Sequence, residues 1–297
     1  MLSINKVING DCLDGLKNLP ENCIDMVITS PPYFVGKEYN EGADYLNFHK
    51  VMEEWEDFSN WLIDIFKECQ RVLKPSGKLA INIDDRHLGL KTYGKNLTLP
   101  THAKLIMNLK DHFDYKEMIL WKKIRSSKTS GGAGMMMGSF GRFGSPGEIP
   151  ILQEVEYILL FRKDGNREGI TDSMRKDSSL TTEEFAKYAM QIWEVSPETN
   201  RIHPAPFPIE IPYRLIKLFT FKGDVILDPF MGSGTTAIAA LSIDRNYYGF
   251  ELETEFHKDC EQRIESYLKN GQDFTYLKTN AMFSRKKNKN TNVSTIF

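Results

Sequence analysis

The stretch 224–236, DVILDPFMGSGTT, places the strongest constraint on the fold of this chain. An apolar run ends in an aspartate and a proline, glycines follow at positions 232 and 234, and a helix-forming stretch begins at Thr235. Glycines let the backbone turn sharply and approach a ligand closely. The start of a helix offers free N–H groups and a positive partial charge to an anion. The segment therefore predicts a strand, a turn and a helix that together bind an anionic ligand.

Short apolar runs alternate with helical patterns along the chain, which predicts an α/β fold with a largely parallel sheet. The predicted strands are residues 5–9, 25–29, 78–83, 116–121, 155–161, 225–228 and 247–250. The predicted helices are residues 49–73, 102–109, 209–219, 235–242 and 253–268, with Pro75 and Gly77 ending the first. Residues 126–147 lack periodicity, and residues 165–182 are polar and mixed in charge, so we expect loops or a small insert in both.

Composition excludes several classes of protein. The chain has 297 residues and a net charge of −2, so any nucleic-acid binding must come from a local basic patch. The four cysteines form no CxxC pair, which indicates reduced thiols, and no Cys/His spacing indicates a metal. The first residues, MLSINKVING, lack the long apolar stretch of a signal peptide, and no run approaches about 20 apolar residues. We therefore expect a cytoplasmic protein without a membrane span.

The residues around the glycines favour one ligand. Thr235 stands where a nucleoside triphosphate site needs a lysine, whereas Ala237 could replace the third glycine of a dinucleotide site. At the strand end, Asp228 could meet an ammonium group. Roughly 20 residues later, Glu251 ends the next predicted strand, where a carboxylate suits the hydroxyls of a ribose. S-adenosylmethionine carries the carboxylate, the ammonium and the ribose that these features require.

A second motif, TSPPYF at 29–34, follows an apolar run. Pro31 and Pro32 cannot continue a strand, and they stiffen the chain in an extended loop. A hydroxyl precedes the prolines and two aromatic residues follow them. The motif predicts a rigid loop that presents a hydroxyl, a fixed carbonyl and an aromatic face.

Together, TSPPYF and DPFMGSGTT resemble the amino-directed DNA methyltransferases of restriction–modification systems, which methylate N6 of adenine or N4 of cytosine. TSPPYF comes first here, as in the beta class of that family. The resemblance runs from Asn9 to about Leu268. It implies a Rossmann-like, S-adenosylmethionine-dependent methyltransferase sheet that is circularly permuted, with a small target-recognition insert. The two ends of the chain would then meet in one sheet.

The resemblance also implies a cofactor site. The residues that would hold the methionine part of S-adenosylmethionine are Asp228, Pro229, Phe230, Gly232, Ser233, Gly234 and Thr235. Glu251 would bind the ribose, and Asp11 would lie near the adenine amine. In the segment HPAPFPIEIP, Pro206 and Phe207 would cover the methionine end.

The TSPPYF motif would hold the base. An exocyclic amine is a poor nucleophile because its lone pair is delocalised into the ring, so two acceptors aimed at its N–H bonds would favour a pyramidal nitrogen. The Ser30 side chain and the Pro31 carbonyl would be those acceptors, with Pro32 keeping the carbonyl rigid. Tyr33 would stack on the flipped base. Ser-Pro-Pro-Tyr is usual in the cytosine N4 enzymes of the family, whereas Asp-Pro-Pro-Tyr is usual in the adenine N6 enzymes.

The sequence also suggests where DNA is recognised. Strands 116–121 and 155–161 would form a hairpin around a basic, glycine-rich stretch. Its candidate DNA contacts are Lys122, Lys123, Arg125, Lys128 and Arg142. We expect a catalytic domain in 1–123 and 194–270. Target-recognition loops and a sheet-edge strand would occupy 124–193, and 284–297 would be a disordered tail.

The implied substrate is double-stranded DNA, and a separate restriction endonuclease and a homodimer are left open as partners. The alternatives are an adenine N6 methyltransferase on the same scaffold, a methyltransferase acting on a protein glutamine, and a catalytically silent DNA-binding protein. Ser30, the motif order and the basic stretch disfavour the protein substrate.

Overall fold

The structure, a computed structural model, describes residues 2–33, 48–88, 97–124, 153–198 and 208–271. Its strands are β1 (Lys6–Asn9), β2 (Ile24–Thr29), β3 (Leu73–Ile83), β4 (Arg86–Leu88), β5 (Leu97–Leu99), β6 (Asp114–Lys123), β7 (Val155–Arg162), β8 (Ile192–Val195), β9 (Val225–Asp228) and β10 (Asn246–Glu251). Its helices are α1 (Cys12–Lys17), α2 (Phe48–Val72), α3 (Thr101–Leu109), α4 (Asp172–Asp177), α5 (Thr182–Tyr188), α6 (Glu210–Phe219), α7 (Thr235–Ser242) and α8 (Thr254–Asn270).

One mixed sheet joins eight of these strands in the order β1-β10-β9-β2-β3-β7-β6-β8. The strands from β1 to β3 in this order are parallel, and β8 is parallel to β6. Strand β7 runs antiparallel to both β3 and β6. The predicted α/β fold and the predicted hairpin are therefore confirmed. The first and last strands also pair, as expected for two chain ends that meet in one sheet.

Helices cover both faces of the sheet because buried apolar side chains alternate along the central strands. Met26 and Ile28 of β2 point into one core, together with buried residues of α6, α7 and α8. Val27 points into the other core, with buried residues of α1, α2 and α3. The result is a three-layer arrangement that leaves the carboxyl ends of the parallel strands at one edge.

Several local predictions need correction. The helix predicted to run to Leu73 ends at Val72, and Pro75 and Gly77 lie inside β3 instead of in a loop that stops the helix. The stretch 165–182, predicted as loops or a small insert, contains the short helix α4. Thr171 caps α4 by accepting a hydrogen bond from the N–H of Met174. The short elements α1, α5, β4, β5 and β8 were not predicted. Strand β9 is as short as β8, but the glycine turn that follows β9 adds a signal that a few residues alone do not carry.

Several predictions fall outside the described residues. These are Arg125, Lys128, Arg142, Pro206, Phe207, the loop 126–147 and the tail 284–297. Among the described helices, none is both long enough and apolar enough to cross a membrane.

Candidate active site

Acidic side chains meet at the carboxyl ends of neighbouring parallel strands. In the register of the sheet, Asn9 lies opposite Glu251, and Gly249 lies opposite Asp228. Asp11 follows the end of β1 by two residues. The structure thus brings Asp11, Glu251 and Asp228 to one edge, where ligands of open α/β sheets bind.

The glycine turn, residues 229–234, connects β9 to α7. Gly232 and Gly234 have φ values of 53° and 80°, a region that side-chain-bearing residues rarely adopt. A Cβ atom on Gly234 would lie 2.7 Å from Sγ of Cys260. Gly234 also occupies the cap position of α7, which has no side-chain cap. The first N–H groups of α7 are therefore presented without a capping side chain, as an anion requires.

The carboxylate of Asp228 is buried and bound inside the protein. Its Oδ1 accepts hydrogen bonds from Thr29 Oγ1 at 2.7 Å and from the N–H of Phe230 at 3.0 Å. Its Oδ2 accepts one from Thr236 Oγ1 at 2.6 Å. Burial raises the pKa of Asp228 to about 6, although these three hydrogen bonds oppose the shift. The carboxylate therefore links the ends of β9 and β2 to α7.

Glu251 and Asp11 have different environments. Glu251 accepts from the N–H of Gly232 at 2.8 Å through Oε2 and from the N–H of Glu253 at 2.9 Å through Oε1. It therefore fixes the glycine turn relative to β10. Asp11 caps α1, where its Oδ1 accepts from the N–H groups of Leu13 and Asp14. Both carboxylates are only partly buried, so each remains accessible at the edge of the sheet.

Arg263 of α8 supports the glycine turn, and the sequence analysis missed it. Its Nη1 donates to the carbonyl of Ser233 at 2.9 Å, to Ser233 Oγ at 3.0 Å and to Thr235 Oγ1 at 3.0 Å. Nothing in the sequence near Arg263 signals this contact, because its partners lie about 30 residues earlier.

Pro229 and Phe230 begin the turn. Pro229 is buried, and the Phe230 ring lies 5.6 Å from the ring of Trp61, measured between centroids. The turn is thus packed against α2 at one end and held by α8 at the other.

The TSPPYF motif lies beside this turn, at the end of β2. Thr29 is opposite Ile81 of β3, so Ser30 is next to Asn82. The amide Nδ2 of Asn82 is 3.4 Å from Ser30 Oγ and 3.2 Å from the hydroxyl of Tyr33. Pro31 is buried and Pro32 is exposed. The predicted base-binding residues that belong to the described chain are therefore grouped next to the glycine turn.

A buried glutamate holds Tyr33. Glu156 of β7 is 5% exposed, and its Oε2 accepts from the Tyr33 hydroxyl at 2.6 Å and from Asn82 Nδ2 at 2.7 Å. The ammonium of Lys123 lies 2.5 Å from Oε1. Burial, and then the charge of Glu156, raise the pKa of Tyr33 well above its usual value. The phenol therefore stays protonated and donates. We call Asn82, Glu156 and Lys123 the tyrosine anchor.

Sequence reasoning did not select Glu156. The available signal was the one carboxylate in the mostly apolar strand VEYILLFR. Asn82 carries no clear signal either, because a polar residue followed by acids at a strand end is equally well explained by a structural turn.

The two aspartates after β3 differ. Asp85 accepts from the backbone N–H of His102 at 3.1 Å and from its Nδ1 at 2.7 Å, so it supports the start of α3. Asp84 accepts from Gln153. Burial, and then Glu156, raise the pKa of Asp84 to about 6. In the described ranges, no three His, Cys, Asp or Glu side chains are grouped so as to hold a metal ion.

The two lysines predicted to bind DNA face different surroundings. Lys122 is half exposed and pairs with exposed Glu194 at 2.8 Å. Lys123 points inward to Glu156, and its ammonium lies 5.5 Å from the centre of the Trp121 ring. Lys122 therefore lies on the surface, whereas Lys123 belongs to the tyrosine anchor.

Comparison with known proteins identifies the family. A family model described as DNA methylase matches residues 24–262, most of the chain. This chain belongs to the DNA methylase family. The type II methyltransferase M.MjaI of Methanocaldococcus jannaschii is 33% identical to this DNA methylase over 88% of the chain and 91% of its own length. The DNA adenine methyltransferase YhdJ of Escherichia coli is 26% identical over 87% of the chain and 82% of its own length.

Solved structures share the fold of this DNA methylase. A putative DNA modification methylase of Thermus thermophilus, crystallised with S-adenosyl-L-methionine, is 32% identical with a TM-score of 0.72. The match covers 88% of this chain and 93% of that one. PvuII DNA methyltransferase, which is cytosine-N4-specific, is 21% identical with a TM-score of 0.65 and covers 88% and 86% of the two chains. The family membership establishes a DNA methyltransferase.

Proposed function

We propose that this DNA methylase transfers a methyl group from S-adenosylmethionine to N4 of a cytosine flipped out of double-stranded DNA. One observation carries the proposal. Thr29 and Asp228 are hydrogen-bonded, so the loop that bears Ser30 is attached to the strand that leads into the glycine turn. A base held by Ser30 and a cofactor held by the turn would therefore be neighbours, and proximity is the main requirement of an in-line transfer.

The cofactor site we propose has three parts. The uncapped start of α7, with Gly232, Ser233, Gly234 and Thr235, would receive the carboxylate of the methionine part. Glu251 would bind the ribose, and Asp11 would lie near the adenine amine. The remaining proposed contacts are Asp228, Pro229, Phe230, Pro206 and Phe207. When bound, the cofactor supplies a methyl group on a sulfonium.

Asp228 would serve this site mainly through its neighbours. Within the described residues it accepts three hydrogen bonds, so its carboxylate is aligned by Thr29, Thr236 and the N–H of Phe230. Its side chain would hold the turn in shape, and its charge, when ionised, would favour the nearby ammonium of the methionine part.

The base would lie against the TSPPYF loop. Ser30 Oγ and the Pro31 carbonyl would accept hydrogen bonds from the two N–H groups of the exocyclic amine. Pro32 would keep that carbonyl in place. The Tyr33 ring would stack on the base, which offsets part of the few kcal/mol that flipping costs.

The serine supports cytosine as the target. Ser30 is a neutral acceptor in this position, the usual choice of cytosine N4 enzymes. Adenine N6 is the second candidate, because a relative named as a DNA adenine methyltransferase aligns along most of the chain.

DNA would approach the side of the sheet that carries β6 and β7. We propose a circularly permuted catalytic domain of residues 1–123 and 194–270, with the recognition region at 124–193. The proposed DNA contacts are Lys122, Arg125, Lys128 and Arg142. Lys123 would instead support the tyrosine anchor through its ion pair with Glu156. The protein would work in the cytoplasm as the modification half of a restriction–modification system. A separate restriction endonuclease would act on the same site. The protein could also form a homodimer.

Incubation with unmethylated genomic DNA and labelled S-adenosylmethionine, followed by nucleoside mass spectrometry, tests the proposal. N4-methylcytosine is the expected product. If the product is N6-methyladenine, the proposed site stands but the target base is adenine. If no methylated base forms in DNA of several compositions, a catalytically silent DNA-binding protein is favoured. Ser30→Ala should lose methyl transfer and keep cofactor binding. Ser3→Ala, at an exposed position before β1, is the matched control.

A further inference from the structure

Tyr33 is held at the tip of its ring. Its hydroxyl donates to Glu156 at 2.6 Å and lies 3.2 Å from Asn82 Nδ2. A tyrosine that only stacks on a base needs its ring face, which phenylalanine also has. The hydrogen bond at the far end of the ring is thus an additional feature, and it fixes the direction in which the ring points.

Glu156 has no explanation in strand packing alone. It lies opposite Trp121 in the β6–β7 register and is 5% exposed. A buried carboxylate costs free energy unless it is paired and hydrogen-bonded, and an apolar residue would serve a strand better. Here three donors converge on it: the Tyr33 hydroxyl, Asn82 Nδ2 and the Lys123 ammonium.

The three donors connect Glu156 to the loop that would hold the base. Asn82 uses the same Nδ2 to approach Ser30 Oγ at 3.4 Å. Lys123 supplies the charge that makes burial of the carboxylate tolerable. Glu156 therefore sits at the centre of a network whose outer members are Ser30 and Tyr33.

We propose that Glu156 is a positioning residue for methyl transfer, which locks the Tyr33 ring in the orientation that receives the flipped base. The inference rests on the proposed function. A ring that is already oriented loses no further freedom when the base arrives. This lowers the activation free energy of methyl transfer and leaves cofactor binding unchanged. The effect should therefore be in kcat, with the affinity for S-adenosylmethionine unchanged.

Two variants separate this role from a structural one. Glu156→Gln keeps the size of the side chain but replaces one acceptor oxygen with an NH₂ group that faces donors. Tyr33→Phe keeps the ring and removes the tethered hydroxyl. We expect each to lower kcat on unmethylated genomic DNA about tenfold, the usual order for a lost hydrogen bond to a charged group. Calorimetric affinity for S-adenosylmethionine should stay within about twofold of wild type.

The double variant carries the decision. If Glu156 acts through Tyr33, Glu156→Gln in the Tyr33→Phe background should cost little more, because the bond is already gone. A loss of about a hundredfold, the product of the single effects, would show that Glu156 acts independently and would overturn the proposal. The controls are Glu265→Gln, at an exposed position of α8, and Tyr115→Phe on β6.

The remaining outcomes are also decisive. Wild-type kcat in Glu156→Gln or in Tyr33→Phe overturns the inference while the methyltransferase assignment stands. If Glu156→Gln does not fold, Tyr33→Phe alone decides, since it keeps the ring and removes the hydroxyl that Glu156 holds. Absence of methyl transfer by the wild-type protein overturns the proposed function first, and this inference with it.

Discussion

Thr29 and Asp228 lie 199 residues apart in the chain, and a buried hydrogen bond of 2.7 Å joins them. Thr29 is the last residue of β2 and Asp228 is the last residue of β9. The two conspicuous motifs of this DNA methylase thus begin at the two ends of one hydrogen bond. A substitution at either residue should therefore affect the structure of both motifs.

Thr29→Val should test that connection. Valine matches threonine in shape but cannot donate, so Asp228 Oδ1 keeps only the N–H of Phe230. We expect a loss of about 1–3 kcal/mol in the free energy of unfolding, measured in urea, together with weaker binding of S-adenosylmethionine. Thr182→Val, at an exposed position, should change neither quantity by a comparable amount.

Asp228 should give stability a distinctive pH dependence. Burial raises its pKa to about 6 from 3.8, so the folded protein holds a proton that the unfolded chain releases. The resulting stabilisation is fully present below pH 3.8 and is lost as pH rises through about 6, by at most about 3 kcal/mol. Asp228→Asn lacks this titration. The wild-type free energy of unfolding minus that of the variant should therefore fall between about pH 4 and pH 7.

Asp84 titrates in the same direction, but it is present in both proteins and its contribution cancels. A difference that stays constant or rises across this range would show that Asp228 is not a buried carboxyl of raised pKa.

A side chain at position 234 should lower the free energy of unfolding. The φ of Gly234 is 80°, and a Cβ would lie 2.7 Å from Cys260 Sγ. Gly169 has a similar φ of 75° with nothing within 4 Å, so it isolates the backbone cost. We expect Gly169→Ala to cost about 1 kcal/mol and Gly234→Ala about 2 kcal/mol or more. Only Gly234→Ala should also weaken binding of S-adenosylmethionine. Equal costs in chemical denaturation would mean that the contact with Cys260 relaxes freely.

Arg263 should matter for the cofactor although it lies on a distant helix. Its Nη1 makes three hydrogen bonds to Ser233 and Thr235 in and next to the glycine turn. Arg263→Gln should lower the affinity for S-adenosylmethionine about tenfold by calorimetry, since the turn loses its support. Lys258→Gln removes the same charge from an exposed position of α8. If both variants weaken binding alike, net charge is the cause and the contacts are not.

Lys122 should contribute to DNA binding through its charge. Its pair with Glu194 is exposed, and such pairs are weak enough to open for a phosphate. Lys122→Gln should reduce the slope of log affinity against log salt concentration by about 1. Lys6→Gln on β1, at the opposite edge of the sheet, should leave the slope unchanged. An unchanged slope in Lys122→Gln would place the DNA surface elsewhere.

Local patterns were sufficient for the two elements that flank the glycine turn and for the two motifs. The strand 225–228 and the helix 235–242 were predicted at their observed bounds, because an apolar run, a glycine turn and a helix start are signals carried by adjacent residues. The predicted helix end, Leu73, is one residue too late, because Pro75 was taken as a helix stop whereas it lies near the start of strand β3.

The sequence by itself determined the α/β class, the order of the motifs and the residue types at the site, since these depend on neighbours along the chain. Only the tertiary structure decided which partners those residues take. It turned Asp228 inward to Thr29 and Thr236, and it brought Glu156 to Tyr33 across 123 residues of chain. A hydrogen bond depends on distances within about 3.5 Å, and such distances between remote residues are set by how the sheet is ordered and packed.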